Sequence, residues 1–212
     1  MKKFDLHLHT RLISDDASLD PRAAARRLQE AGYAGFAVTD HNAFWTSQQL
    51  QALQEQTPLI VIRGAEVQTE IGHVLVYGWG EEPLWPYHRL RDLVQVAHRQ
   101  GAAVVVAHPF RRWFSKRAVG ARVGAPDDET ISRLPYWKWV DAIEVQNGKS
   151  LQDENRHAFQ LAERLGLAMT AGSDAHEAVQ LETAATFLPD SVGTSQEVIE
   201  VLRDRETTVL YA

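Results

Sequence analysis

The sequence predicts an α/β fold, and three observations lead there. Short apolar runs of strand length alternate with amphipathic segments of helical period, about seven or eight times across the 212 residues, as strand–helix units require. Histidines and carboxylates close most of those runs, from Asp5, His7 and His9 near the start to Asp174 and His176 near the end. No Pro-, Gly- or Ser-rich linker and no block of like charge splits the chain, so residues 1–212 are expected to form a single domain.

The first run, residues 3–9, reads as a strand. Successive strand side chains point to opposite faces, so Asp5, His7 and His9 are expected on one face and Phe4, Leu6 and Leu8 on the other. A polar turn leads to Asp20-Pro21, an N-cap followed by the residue best suited to the first helical position, and a helix over 22–31 is closed by Gly32. The run 35–39 ends on Asp40-His41. After a helix around 47–56, the run 59–62 ends on Gly64-Ala65-Glu66, and a turn through Gly72 opens the run 73–77. Parallel strands need a crossover of about a dozen residues, which the few between Glu66 and His73 cannot supply. The two runs therefore pair antiparallel, which brings His73 next to Glu66. A helix over 87–100, stopped by Gly101, feeds the run 102–107 and its terminal His108-Pro109. A run at 142–145, a helix at 151–165, a run at 167–171, a last strand at 184–188 and a helix at 195–204 complete the pattern. Apart from His73, the polar residues stand at carboxyl ends of strands, the edge where α/β barrels and open sheets form their active sites.

Composition narrows the function. Lys+Arg 22 against Asp+Glu 28 gives a formal charge of -6, which argues against a general nucleic-acid coat or a membrane-surface binder but leaves room for a local basic patch. The absence of cysteine removes disulfides, thiolate ligands and a Cys nucleophile, so any metal sits among imidazoles and carboxylates. There is neither a signal-type apolar stretch nor an uncharged run long enough to span a bilayer, and the cytoplasm is the expected location, with no membrane partner.

Two imidazoles two residues apart on one strand can grip a single ion, and Asp174 and His176 repeat that spacing. Buried imidazole–carboxylate clusters cost free energy unless paired or metallated, so polar residues at so many strand ends point to one metal-filled pocket. Nitrogen and oxygen ligation without sulfur suits zinc, manganese or iron. Asp5 and Asp40 stand beside candidate ligands, either to orient an imidazole through its free ring N–H or as capping and turn residues. His88, His98 and His157 fall within helical patterns and are left outside the site.

Asp5-Leu6-His7-Leu8-His9-Thr10 with Ser14-Asp15-Asp16 downstream, Val38-Thr39-Asp40-His41-Asn42, Gly64-Ala65-Glu66, Ala107-His108-Pro109, Glu144-Val145-Gln146-Asn147-Gly148 and Gly172-Ser173-Asp174-Ala175-His176 occur in that order. Together they resemble the PHP (polymerase and histidinol phosphatase) metal-dependent phosphoesterases over residues 5–176. Each piece alone is weak; the ordered set is specific. The resemblance implies a distorted (β/α)7 barrel with two or three divalent metal ions at its carboxyl-terminal face. Carried over residue by residue, it gives one ion to His7, His9, Glu66 and Asp174, and a second to Glu66, His73 and His108, with Glu66 bridging. A third falls to Asp15, His41 and His176. Here the chain departs from the commonest pattern: Asp15 and Asp16 stand where an aspartate followed by glycine is expected, after one extra residue, so either aspartate fits. Glu144 and Asn147 match a strand end of the family, although Asn147-Gly148 is also a turn dipeptide. The large insertion of several nucleotide-directed relatives is missing.

The implied activity is hydrolysis of a phosphate monoester of a small metabolite or nucleotide, with Glu66, Asp174 and His176 as the catalytic set and a hydroxide shared by the ions as nucleophile. Residues 110–126 carry Arg111, Arg112, Lys116, Arg117 and Arg122 without one acid, directly after His108. In an acidic chain this suggests an anionic substrate, with Arg111 and Arg112 as the nearest phosphate contacts and Trp113, Phe114, Phe44 and Trp45 able to stack on a ring. The same loop supports a nuclease acting on a short oligonucleotide as a second reading. An amidohydrolase-type deaminase or lactonase also opens with His-x-His but does not need Asp15, His41 and a terminal Asp-x-His together, and a non-catalytic polymerase-associated module ranks lower because the ligand set is complete. The purified protein is expected to carry more than one equivalent of transition metal and to lose activity on chelation. Metal analysis that finds none, with no activity after manganese or zinc is added, contradicts the metal reading.

Overall fold

The computed structural model describes residues 1–80, 89–111, 128–205 and 207–209. The strands are β1 (Lys2–Leu8), β2 (Gly35–Val38), β3 (Ile60–Thr69), β4 (Gly72–Tyr77), β5 (Ala103–Val106), β6 (Ala142–Asn147), β7 (Ala168–Gly172), β8 (Thr186–Leu188) and β9 (Thr208–Val209). They form one sheet in the order β7-β6-β5-β4-β3-β2-β1-β8-β9. The helices are α1 (Pro21–Glu30), α2 (Ser47–Gln54), α3 (Leu90–Arg99), α4 (Asp128–Ser132), α5 (Gln152–Leu165) and α6 (Ser195–Asp204). None of them is long and apolar enough to cross a membrane.

Strands β1 to β3 run parallel, as do β5 to β7, while β4 is antiparallel to both its neighbours. Strand β8 is also antiparallel to its neighbour β1, but the reversal of β4 is the one that matters for the site: β4 starts at the edge where β3 and β5 finish. The sheet curls until β7 meets β1, where the Asp174 N–H donates to the His7 carbonyl at 2.6 Å and the His9 N–H to the Ala175 carbonyl at 2.8 Å. The result is a nearly closed α/β barrel, as the resemblance implied. Hydroxyls finish that same flank toward the start of β7, the opposite flank being paired with β6. Thr186 Oγ1 accepts from the Ala171 N–H at 2.7 Å and donates to its carbonyl at 2.9 Å, and Thr207 treats Met169 the same way at 3.0 and 2.6 Å. Backbone groups that a neighbouring strand would otherwise satisfy are thus not left unpaired.

One core cluster draws on every strand from β1 to β8, through Phe4, Ala37, Ile62, Leu75, Val105, Ala142, Ala168 and Leu188, which only the inside of a curled sheet allows. Val198, Ile199 and Leu202 of α6 belong to the same cluster and plug it. Outside, α1 and α2 pack Leu28 and Leu53 against Phe36, Val38 and Val61, while α3 and α5 pack Leu93, Ala97 and Leu161 against Val104, Val106 and Ile143. Residues two apart share a face, so Glu66 continues the inward line of Ile62, and Glu144 that of Ala142. The barrel is apolar low and polar at its rim.

Several expectations shift. The pairing of β1 with β2 is irregular between Asp5 and Leu8, and Phe4 and Leu6 join the inner cluster while Leu8 joins the outer one. The strict alternation expected over residues 3–9 therefore breaks, because an irregularity of one residue exchanges the two faces. The run expected to end near Glu66 continues to Thr69, carried by its pairing with β4 out to Thr69–Gly72. Helix α1 begins at Pro21, with Asp20 accepting from the Arg22 and Ala23 N–H groups, and α6 has the expected bounds. Helix α3 is described from Leu90, the start expected at residue 87 lying outside the described residues. The short elements α4 and β9 carry too few residues for a periodic signal and were not anticipated.

Gly172 is where β7 comes closest to β1: a Cβ there would stand 2.3 Å from His7 Cβ and 2.5 Å from His7 N. Gly172→Ala is expected to destabilise by about 1–3 kcal/mol, lowering Tm by roughly 3–10 °C in a thermal melt. An unchanged Tm means that the seam is looser than described.

Candidate metal centre

Glu66 is the hub. Its side chain is only 2% exposed, and its Oε1 lies 2.7 Å from His73 Nδ1, 2.9 Å from His108 Nε2 and 3.5 Å from His7 Nε2. Its Oε2 lies 3.0 Å from His41 Nδ1 and 3.4 Å from His9 Nε2. Gln68 is the residue opposite His73 in the β3–β4 register, so Glu66 meets His73 on the diagonal of the hairpin. Asp174 Oδ1 stands 3.3 Å from His9 Nε2 and 3.7 Å from His7 Nε2, and those two ring nitrogens are 3.1 Å apart. Asp16 Oδ2 lies 3.4 Å from His41 Nε2 and 3.2 Å from His176 Nε2.

Positioning this cluster strains the backbone. His108 and Asp174 adopt φ of 26° and 53°, the left-handed region that side-chain-bearing residues occupy at a cost of about 1–3 kcal/mol. The surrounding hydrogen bonds hold them there. The His108 N–H donates to Glu144 Oε2 at 2.9 Å and the Asp174 N–H to the His7 carbonyl.

A second layer orients the imidazoles. Glu144 Oε1 takes His7 Nδ1 at 2.8 Å, which turns Nε2 toward Glu66 and Asp174, and its Oε2 also accepts from Asn147 Nδ2 at 3.1 Å. Asp40 accepts from Thr10 N at 2.6 Å and from Thr10 Oγ1, Ser14 Oγ and Trp45 Nε1, each at 2.7 Å. Ser14 Oγ in turn accepts from the His41 N–H at 3.1 Å and sits 3.4 Å from His9 Nδ1. Asp40 thus acts through Ser14 rather than on a ring directly. Asp5 touches no imidazole ring either: its Oδ1 accepts from the His7 and Ser173 N–H groups at 3.2 and 2.9 Å, across the β1–β7 seam.

The charges sort accordingly. Burial pushes the Glu66 carboxyl up, but His7, His108 and His41 outweigh it and hold the group well below the usual carboxylate range. Asp174 follows the same logic, with burial overcome by His7, His9 and Arg111. Burial opposes a charge on His7 as well, yet Glu144, Asp174 and Glu66 keep its pKa well above the ordinary value. His9 is pushed down to about 4, chiefly by burial, and Asp5 is raised to about 6 for the same reason.

The residues fit divalent metals. Ligands about 2.1 Å from an ion at tetrahedral or octahedral angles stand about 3.0–3.4 Å from one another, and the spacings around Glu66 and Asp174 run from 2.7 to 3.7 Å about that range. Among the described residues, four groups have ligand atoms all within 4.8 Å of one another: His7, His9 and Glu66; Glu66, His73 and His108; His9, His41 and His176; and His7, His108 and Asp174. Each of the nine positions carried over, except Asp15, has a side chain in this cluster. The carboxylate facing His41 and His176 is that of Asp16 and not of Asp15, its neighbour in the turn, which corrects the assignment carried over to Asp15. Arg111 donates through Nη2 to Asn147 Oδ1 at 2.5 Å and to Asp174 Oδ2, so it grips the outer oxygen of a candidate ligand. Arg112, Trp113, Phe114 and the rest of the basic segment to residue 126 lie outside the described residues, as does His88. His98 pairs with Asp141 at 3.0 Å and His157 packs on Phe110, both apart from the ligand groups.

The profile of the PHP domain matches residues 5–126, more than half of the chain, and that of the PHP-associated region matches residues 152–207. This chain belongs to the PHP family. An uncharacterized protein of Methanocaldococcus jannaschii is 27% identical over 175 residues, covering 82% of this chain and 65% of its own length. A two-domain protein of Bacteroides vulgatus, described as containing a predicted PHP-like metal-dependent phosphoesterase, superposes with a TM-score of 0.73 at 19% identity over 99% of this chain and 64% of that one. PsfC of Pseudomonas syringae gives 0.66 at 22% identity, covering 100% and 91%. A protein of Chromobacterium violaceum described as an amidohydrolase, with bound sulfate and no metal, gives 0.65 at 17% identity, covering 97% of each. At these identities the structural likeness is one of fold. This PHP chain spans just under two thirds of the archaeal and the Bacteroides proteins.

The Glu144 carboxylate holds His7, the His108 N–H and Asn147 at once, and residues holding a metal-ligating imidazole typically contribute about 10–100-fold to metal affinity. Glu144→Ala is expected to weaken zinc binding to the PHP centre by that factor in calorimetric titration. An unchanged affinity removes Glu144 from the support of the site.

Proposed function

We propose that this protein is a metal-dependent phosphoesterase acting on phosphate monoesters of small metabolites or nucleotides. The observation that carries the reading is the union of the ligand groups with a cavity of about 430 Å³ whose wall holds Glu66, His73, Asp174 and His176 together with the cationic Arg111 and Lys149. Divalent ions in those groups would supply a nucleophile from water near neutral pH and positive charge for the phosphoryl oxygens.

The side chains account for substrate binding. Arg111 spends Nη2 on Asn147 and Asp174, while its Nε is buried without a hydrogen-bond partner, so a phosphate oxygen arriving beside it meets an unused donor. His176 Nδ1 lies 3.0 Å from the Asp174 carbonyl and 2.7 Å from Lys149 Nζ. When Nδ1 donates its proton to that carbonyl, Nε2 is left with its lone pair for an ion and the Lys149 ammonium turns to another acceptor, the phosphate. The volume suits a metabolite-sized ligand better than a strand of nucleic acid.

Protein reconstituted with manganese, zinc or iron is expected to release phosphate from monoesters, and Lys149→Met to lower kcat/KM about tenfold or more at unchanged metal content. Cleavage confined to short oligonucleotides, or to amides and lactones, replaces this reading with the nuclease or the amidohydrolase.

A further inference from the structure

One carboxylate on the wall of this cavity serves neither the ligand groups nor the phosphate. Glu154, in the first turn of α5, is 4% exposed and lines the cavity with Lys149 and Leu151. Its Oε2 accepts the Leu151 N–H at 2.9 Å and caps the helix, but its Oε1 is buried with no hydrogen-bond partner. Buried polar atoms without partners are rare in folded proteins, and a cap alone does not require one: the usual capping glutamate lies at the surface, where water fills the second oxygen. The last side-chain torsion of glutamate is soft, so the carboxylate can keep Leu151 with one oxygen and turn the other toward the cavity.

What would satisfy it follows from the neighbouring charges. A carboxylate oxygen accepts and repels anions, so the phosphate belongs with Arg111 and Lys149, and Glu154 faces the alcohol portion of the ester. The missing partner is therefore a donor. An ammonium would be set among Arg111, Lys149 and divalent ions, whereas a hydroxyl donates without that repulsion. We infer that Glu154 is a specificity-determining residue that accepts a hydrogen bond from a substrate hydroxyl, which makes the substrate class the phosphomonoesters of sugars and polyols. The inference rests on the phosphoesterase reading and narrows it.

The test compares ribose 5-phosphate, glucose 6-phosphate and glycerol 1-phosphate with tetrahydrofurfuryl, tetrahydropyranylmethyl and propyl phosphate, the same frames without hydroxyls, on metal-loaded enzyme. The parent enzyme is expected to favour at least one hydroxylated ester over its counterpart by about tenfold or more in kcat/KM, because a site built around a substrate hydroxyl is left with an unpaired buried group by the analogue that lacks it. Glu154→Ala is expected to erase that preference by slowing the hydroxylated ester, with the deoxygenated one changed less than about threefold and metal content unchanged, while Glu154→Gln, which keeps an acceptor, retains part of it. Equal losses on both esters in Glu154→Ala reduce Glu154 to a helix cap and overturn the inference. The parent comparison decides the matter even where a variant does not fold: hydrolysis of both series without preference, or of neither series while a nucleoside monophosphate is cleaved, overturns the inference alone, and cleavage of no monoester at all overturns the phosphoesterase reading with it.

Discussion

The burial of one carboxylate among five imidazoles governs how this protein is assembled. The charge of Glu66 cannot be buried alone, and His7, His9, His41, His73 and His108 each bring a ring nitrogen within 3.5 Å of it. Those rings come from the end of β1 and the residue that follows it, the segment after β2, the start of β4 and the segment after β5, so compensating one charge requires four parts of the sheet to converge. The same convergence lets divalent ions bind, since what neutralises a buried carboxylate also furnishes their ligands.

Convergence in turn depends on how the sheet closes. Gly172 lets β7 lie against the backbone of His7, and the Asp174 N–H then locks onto the His7 carbonyl, which places Asp174 beside His7 and His9. The apolar inner cluster plugged by α6 supports this from below, so the polar groups gather only at the rim, where a cavity of about 430 Å³ opens. Strain at His108 and Asp174 is borne by that framework. The wall of the cavity is chemically divided, with Arg111 and Lys149 suited to an anion and Glu154 to a donor.

Much of this was legible in the chain. Amphipathic spacing located α1, α5 and α6 to within a residue or so, because a helix with one buried face repeats its apolar residues at a period that sequence preserves. The residues that gather around Glu66 and Asp174 were legible because imidazoles and carboxylates close apolar runs in the order of the PHP motifs, and the place of His73 beside Glu66 follows from the shortness of a turn. The choice between Asp15 and Asp16 was not legible: both are acids in one turn, and only its three-dimensional course decides which faces His41 and His176. Nor were the roles of Glu144, Ser14 and Lys149 around the rings, since these contacts join residues far apart in sequence.

The α/β class, the set of chemically capable residues and the reversal of β4 can be read along the chain, because each is set by local periodicity, residue chemistry or the length of a connection. Folding in three dimensions is what sets which face Leu6 and Leu8 take, how Glu144 rather than Asp5 orients His7, and that Glu154 lies buried on the wall of the cavity with one oxygen unpartnered. Those outcomes depend on a one-residue irregularity in β1, on the closure of β7 onto β1, and on packing between segments that share no local signal, and such terms exist only once the chain has folded.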